Sequence, residues 1–191
     1  MSDRLTERLN AILPRVTSPE FLSGSGIGNE IAFYIFDYPP DDELRVREHV
    51  RFLIEHIPKQ RPGLRVSHVN LLALVVDYLK GRNLLERSIK MQAEKGDEHL
   101  LKALAPILDA QKIAPVFAAT AKPEEHDLVL VTGVGSVWPV LRTHSLLNNL
   151  HAIMGKTPLV MFYPGRYDGQ SLRLFGKVKS NNYYRAFKLV P

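Results

Sequence analysis

Apolar positions along the chain keep two rhythms, one spaced like the face of a helix and one in short unbroken runs. Leu5, Leu9, Ile12 and Leu13 recur at helical spacing, which predicts a short amphipathic helix over 4–13, ahead of Pro14. The run 31–36 predicts a strand. Residues 43–57 return to the helical rhythm with Val46, Val50, Leu53, Ile54 and Ile57 on one face, and Asp41 or Asp42 stands where the cap belongs. A second strand is predicted over 65–70, followed by a helix over 71–80 that Gly81 would close. Next comes a helical pair over 84–95 and 97–108, punctuated by Gly96, with Asp97 as N-cap and Leu100, Leu101 and Leu104 turned to the core. Pro106 and Pro115 fragment the next segment, leaving a short helix over 114–121.

The remaining elements hang on the stretch 127–139, DLVLVTGVGSVWP. An apolar run from Leu128 predicts a buried strand that feeds a glycine loop, and the helical spacing of 140–154 leads to a second apolar run over 158–163. Two such strands joined through a helix lie parallel in one sheet. Their carboxyl-end loops, 133–136 and 164–170, are where ligands and partners usually meet such a fold. Residues 171–175 and 183–190 alternate in side-chain type around the turn-like Ser180-Asn-Asn182, which predicts a closing β-hairpin. Strands alternating with helices define an α/β class. The expectation is therefore a single α/β domain over 1–191, with a mainly parallel sheet flanked by helices.

Composition narrows the chemistry. With no cysteine among 191 residues, disulfides, thiolate nucleophiles and Cys-ligated metals are excluded. No run approaches the roughly 18 apolar residues of a membrane span, and MSDRLTERLN is too charged for a signal peptide. A cytoplasmic protein with no membrane partner is expected. The net charge of +5 is unevenly spread, because residues 133–191 carry 8 Lys/Arg against the single acid Asp168, along with 8 of the 16 aromatic residues. A basic and aromatic tail suits an acidic partner, nucleic acid or protein, or else simply keeps strand edges soluble.

Catalytic motifs fail one after another. SGSGIG at 23–28 precedes a strand, whereas a phosphate loop must come after one and open a helix. In the place of a Walker loop, DYPPDD at 37–42 offers two prolines without amide hydrogens and three phosphate-repelling aspartates. GVGSVW at 133–138 has Trp138 where a dinucleotide loop needs its third glycine, and GKT at 155–157 runs into a strand. The seven histidines form no HExxH, and no serine sits in a G-x-S-x-G frame. No catalytic residue, metal site or cofactor is therefore expected. The enzyme rival is a metal-dependent hydrolase with Asp37, Asp41 and Asp42 as ligands, although Asp41 and Asp42 serve equally well as helix caps.

Long strings carry a family resemblance: FDYPPDDELRVREHVRFL at 36–53, TGVGSVWPVLRTHSLLNNL at 132–150 and PLVMFYPGRYDGQSLRLFGK at 158–177, flanked by LPRVTSPEFLSG and NNYYRAFKLVP. They resemble the BrxB family, a small component of bacteriophage exclusion (BREX) systems. The resemblance implies a bacterial defence protein working beside an alkaline-phosphatase-like PglZ protein, an adenine methyltransferase and a large ATPase. It brings no catalytic residues with it. The expected role is a non-enzymatic interaction subunit, with PglZ as the foremost partner and DNA reached through the complex. From the order of its strands, the α/β fold is further expected to be a nucleoside-triphosphatase-like core without its phosphate loop. The competing readings are a nucleic-acid-binding module built on the basic tail, and the hydrolase above. Because interfaces favour Arg and aromatic anchors, the expected partner face joins Trp138 and Arg142 to Arg166 and Tyr167 of the following loop, unless an Arg166–Asp168 ion pair closes that loop on itself.

Overall fold

The structure, a computed structural model, describes residues 3–23, 33–179 and 186–191. The glycine-dense segment from Gly24 on, the first two residues of the strand predicted over 31–36 and the turn predicted at 180–182 lie outside them.

A mainly parallel sheet runs β2-β3-β4-β1-β7, made from β1 (Phe33–Tyr38), β2 (Val66–Asn70), β3 (Leu128–Thr132), β4 (Leu159–Tyr167) and β7 (Phe187–Lys188). The fully buried run over 128–132 forms β3, as its pattern demands. The middle place belongs to β4, however, which pairs in parallel with β3 and, over six positions from Phe33↔Leu159 to Tyr38↔Pro164, with β1. Side chains alternate across the sheet. Phe33, Ile35, Val129, Val131, Leu159 and Met161 point into one core, while Tyr34, Phe36, Leu128, Leu130, Val160 and Phe162 point into a second.

Helices cover both faces. The second core is closed by α1 (Arg4–Asn10), α2 (Ile12–Val16), α3 (Pro19–Ser23) and α4 (Glu43–Gln60), and the first by α5 (Leu71–Gly81), α8 (Ala110–Ala121), α9 (Val134–Val137) and α10 (Thr143–Met154). Between α5 and α8, α6 (Leu85–Lys95) and α7 (Asp97–Leu104) form a pair that gives the core little beyond Leu104. Leu100 is only half-buried and Leu101 packs less deeply than the pattern suggests. In α4, Val46, Val50, Leu53 and Ile57 are buried as expected, but Ile54 is 36% exposed.

Several proline and glycine signals mark places other than the predicted ones. Pro14 stands in the first turn of α2, where a missing amide costs nothing, and Pro58 and Pro115 are carried inside helices. Gly81 is the last residue of α5, and the positive φ of 56° falls on Asn83 instead. Gly96, not Asp97, holds the N-cap position of α7, and Asp42 makes no cap bond to α4 because its carboxylate accepts from Arg45.

The carboxyl end differs most. β4 runs through Pro164 to Tyr167, and β5 (Leu172–Leu174) folds back antiparallel on it, with β6 (Val178–Lys179) beyond. The hairpin predicted between 171–175 and 183–190 is not formed by the described residues. β5 takes β4 and β6 as neighbours, while Phe187 and Lys188 pair in parallel with Tyr34 and Ile35 of β1. Alternation tells which way side chains face but not which strand lies alongside, and β1 offered an open edge.

Candidate functional site: two clefts at the carboxyl edge of the sheet

At the end of β1 the chain makes a 3-10 turn, Pro40–Asp42, and enters α4 on one face of the sheet, whereas at the end of β3 it enters α9 on the other. Between these diverging connections lies the crevice where open α/β sheets bind ligands. Here the chain spans it with its own groups. Arg47 of α4 donates from Nη2 to Ser136 Oγ in α9 (3.0 Å) and from Nε to Glu43 (2.7 Å), and Glu43 accepts from the Tyr38 hydroxyl (2.6 Å). Burial, followed by that bond to Glu43, pushes the Tyr38 phenol far above its usual range. The 133–136 loop packs down on the sheet rather than standing open. A Cβ on Gly135 would come within 2.9 Å of Pro164 and 3.0 Å of the Phe175 ring, and Gly133 takes a left-handed φ of 76°.

Two clefts flank this closed crevice. The first, about 230 Å³, has Tyr163, Leu172 and Leu174 as its apolar floor and Trp138, Arg142, His144 and Val178 at its rim. Trp138 is 42% exposed and meets Phe175 edge-on, with ring centres 6.0 Å apart. The Arg142 guanidinium has no hydrogen bond or ion pair with any described residue. Burial lowers the His144 imidazole below its ordinary value, and the Arg142 charge lowers it further. Such a cavity is smaller than the roughly 300–1,000 Å³ of small-molecule sites. It has the size to take a side chain or two from another protein, with a cation beside it for an acidic group.

The second cleft, about 390 Å³, lies outside the ends of β1, β4 and β7, where the cations Arg4, Arg8, Arg166 and Lys188 stand among the carboxylates Asp3, Asp37 and Asp42. Asp37 is its keystone. One carboxylate oxygen accepts from Arg8 of α1 (2.8 Å) and the other from the Tyr167 amide (3.0 Å), so the first helix, the first strand and the middle strand meet there.

The residues expected to share one partner face are divided between these places. Trp138 and Arg142 come together as predicted. Arg166 and Tyr167 are not on a loop but on β4, where neighbouring side chains point to opposite faces. Tyr167 is fully buried in the first core, its hydroxyl donating to the Ala186 carbonyl at 2.6 Å, and so has no surface to offer a partner. Arg166 is exposed and faces the second cleft. Nor does Arg166 pair with Asp168. That carboxylate accepts from the Gln170 and Ser171 amides (2.9 and 2.7 Å) and the Ser171 hydroxyl (2.6 Å), bonds that hold it far below the usual carboxylate range. The floor residues Leu172 and Leu174 escaped notice in the sequence, where their alternation had signalled only a strand. Asp37, Asp41 and Asp42 do not converge, since Asp37 is held by Arg8 and Tyr167 while Asp42 is held by Arg45. No group of three His, Asp or Glu among the described residues is placed to hold a metal ion. No helix among them is long and apolar enough to cross a membrane.

Fold and clefts together define a class: an α/β domain with a mainly parallel sheet, whose carboxyl-edge crevice is bridged by its own side chains and flanked by one largely apolar cleft and one cleft of charged side chains. Over residues 67–189 the chain matches the family described as "BREX protein BrxB". It is 42% identical over 189 residues to a BREX protein BrxB of Bacillus cereus (strain H3081.97), covering 98% of both chains. It is likewise 42% identical over 187 residues to a BREX protein BrxB of Escherichia coli O9:H4 (strain HS), covering 98% of this chain and 92% of that one. The chain belongs to the BrxB family, whose members are components of BREX phage-defence systems. No solved structure matches it.

Proposed function

We propose that this chain is a non-enzymatic assembly subunit of a BREX defence complex and holds a protein partner at the Trp138 cleft. The observation that carries this reading is the cleft itself, an apolar floor under a half-exposed tryptophan with an uncommitted guanidinium at the rim. Aromatic and Arg anchors over desolvated pockets dominate protein interfaces, where one can contribute about 2 kcal/mol or more. The PglZ alkaline-phosphatase-like protein is the partner we favour, from the family resemblance. The non-enzymatic part draws on a crevice already bridged by Arg47 and Ser136, and on carboxylates already engaged by arginines.

The test is co-purification of the tagged chain from cells carrying the whole defence cluster. Trp138→Ala with Arg142→Glu should leave thermal unfolding nearly unchanged and reduce recovery of PglZ at least tenfold, about 1.4 kcal/mol or more. Undiminished recovery of every partner would place the interface elsewhere. Metal-dependent ATP or nucleic-acid hydrolysis by the purified chain, lost on Asp37→Asn, would replace the assembly reading with the hydrolase.

A further inference from the structure

The second cleft holds side-chain cations that the fold does not pair. Its three side-chain carboxylates are all engaged: Asp37 by Arg8 at 2.8 Å, and Asp3 and Asp42 by Arg45 at 2.7 and 2.8 Å. Arg4, Arg166 and Lys188 line the same cleft, and their side chains have no hydrogen bond or ion pair with any described residue.

A second observation comes from strand register. In the antiparallel β4–β5 pair, Arg166 stands directly opposite Arg173. Tyr167, Leu172 and Leu174 point into the first core, so alternation sends Arg166 and Arg173 together out of the other face, where both are exposed. Like charges directly opposite each other on a sheet destabilise it. Asp168, in the turn between the two strands, feels the Arg173 charge, but its oxygens are spent on its own turn. The fold thus tolerates a repulsive pair, one member of which lines the cleft beside the uncommitted Arg4 and Lys188.

We infer that this surface binds the phosphate backbone of nucleic acid, with Arg166 and Arg173 as the central pair and Arg4 and Lys188 flanking them. Phosphates are the anions whose spacing rewards several separate cations, each releasing counterions on contact. A protein partner would call for an apolar or aromatic anchor among the charges, and protein interface cores are depleted in charged residues. The Trp138 cleft meets that description, whereas here the apolar lining residues Leu5 and Tyr38 are buried, at 6% and 3% exposure. The inference is independent of the assembly role, since it rests on the opposite face of β4.

The test is fluorescence anisotropy of a labelled duplex of about 20 base pairs, titrated with the purified chain between roughly 50 and 200 mM NaCl. The unmodified chain should bind with an affinity that falls steeply with salt. Arg166→Gln with Arg173→Gln should weaken binding at least tenfold and reduce the slope of log affinity against log salt by about 2, at about 0.9 per lost phosphate contact. Its thermal midpoint should hold or rise, because the repulsive pair is gone. Arg4→Gln with Lys188→Gln, away from the β4–β5 pair, should weaken binding by a smaller factor and checks the site if the first variant folds poorly. Lys59→Gln with Lys95→Gln removes the same charge from α4 and α6 and should change affinity less than twofold. Failure of the unmodified chain to bind duplex would overturn the proposal. So would equal losses in the Lys59/Lys95 control, which would reduce binding to net charge. Competition by polyglutamate as effective as that of unlabelled duplex would overturn it in favour of an acidic protein.

Discussion

The two clefts meet at strand β4, yet present different chemistry. Toward the first core, Tyr163, Leu172 and Leu174 floor an apolar cavity in which Arg142 stands nearly alone. On the other face of the same two strands, Arg166 at the second cleft and Arg173 opposite it raise a cationic pair, and the aromatic lining residue of that cleft, Tyr38, is buried. The two-residue repeat of a strand pair thus separates two kinds of recognition: one works by burying apolar area and is insensitive to salt, the other by neutralising charge and is sensitive to it. The residues are interleaved in sequence, so substitutions one position apart should fall on different activities.

The largest expected effect tests the keystone between the clefts. Arg8 and Asp37 are each mostly buried, with side-chain exposures of 16% and 13%, and breaking a buried pair by removing one charge costs about 3 kcal/mol. Asp37→Asn should therefore lower the thermal midpoint by on the order of 10 °C. At a temperature where the variant remains folded, release of Arg8 should also tighten duplex binding while leaving partner capture at Trp138 unchanged. If both activities move together, the clefts are not separate.

A smaller effect is expected from Tyr167→Phe, which removes the hydroxyl that donates to the Ala186 carbonyl (2.6 Å) with the Gly169 carbonyl at 3.0 Å. About 1 kcal/mol should be lost in denaturant unfolding. Unchanged partner recovery from this variant would show that Tyr167 acts through packing. A drop in recovery with full stability would return it to the partner face.

The smallest effect is one of pH. Burial, then the Arg142 charge, lowers the folded-state pKa of His144, so between that value and the unfolded one near 6.5 the unfolded chain binds more protons. Stability tied to His144 is complete above about pH 6.5 and is lost as pH falls toward the depressed folded value. His144→Gln should flatten the acid side of the curve of thermal midpoint against pH. A variant that steepens it would mean the imidazole is charged in the fold and belongs with the cations of the rim.

Much of this organisation is written locally. Unbroken apolar runs at 128–131 and 158–163 specify strands buried on both faces, and the helical spacing of Val46, Val50, Leu53 and Ile57 specifies α4, because solvent exclusion acts on each segment's own periodicity. That Trp138 and Arg142 share one cleft comes from the short turn that follows α9. The family, too, is legible from strings of residues alone. The features that local pattern left open depend on contacts between distant segments. That β4 continues past Tyr163 is a consequence of β5 folding back on it, with Gly165 opposite Leu174 where a side chain would strike the Arg173 carbonyl. Only that extension buries Tyr167, turns Arg166 outward and sets it across from Arg173. The edge place of β7 beside β1, and the grip of Asp37 on both Arg8 and Tyr167, likewise join residues far apart along the chain. A local pattern fixes which face a side chain takes relative to its neighbours, but the partner it meets there is chosen by whichever edge, charge or cavity the rest of the fold leaves open.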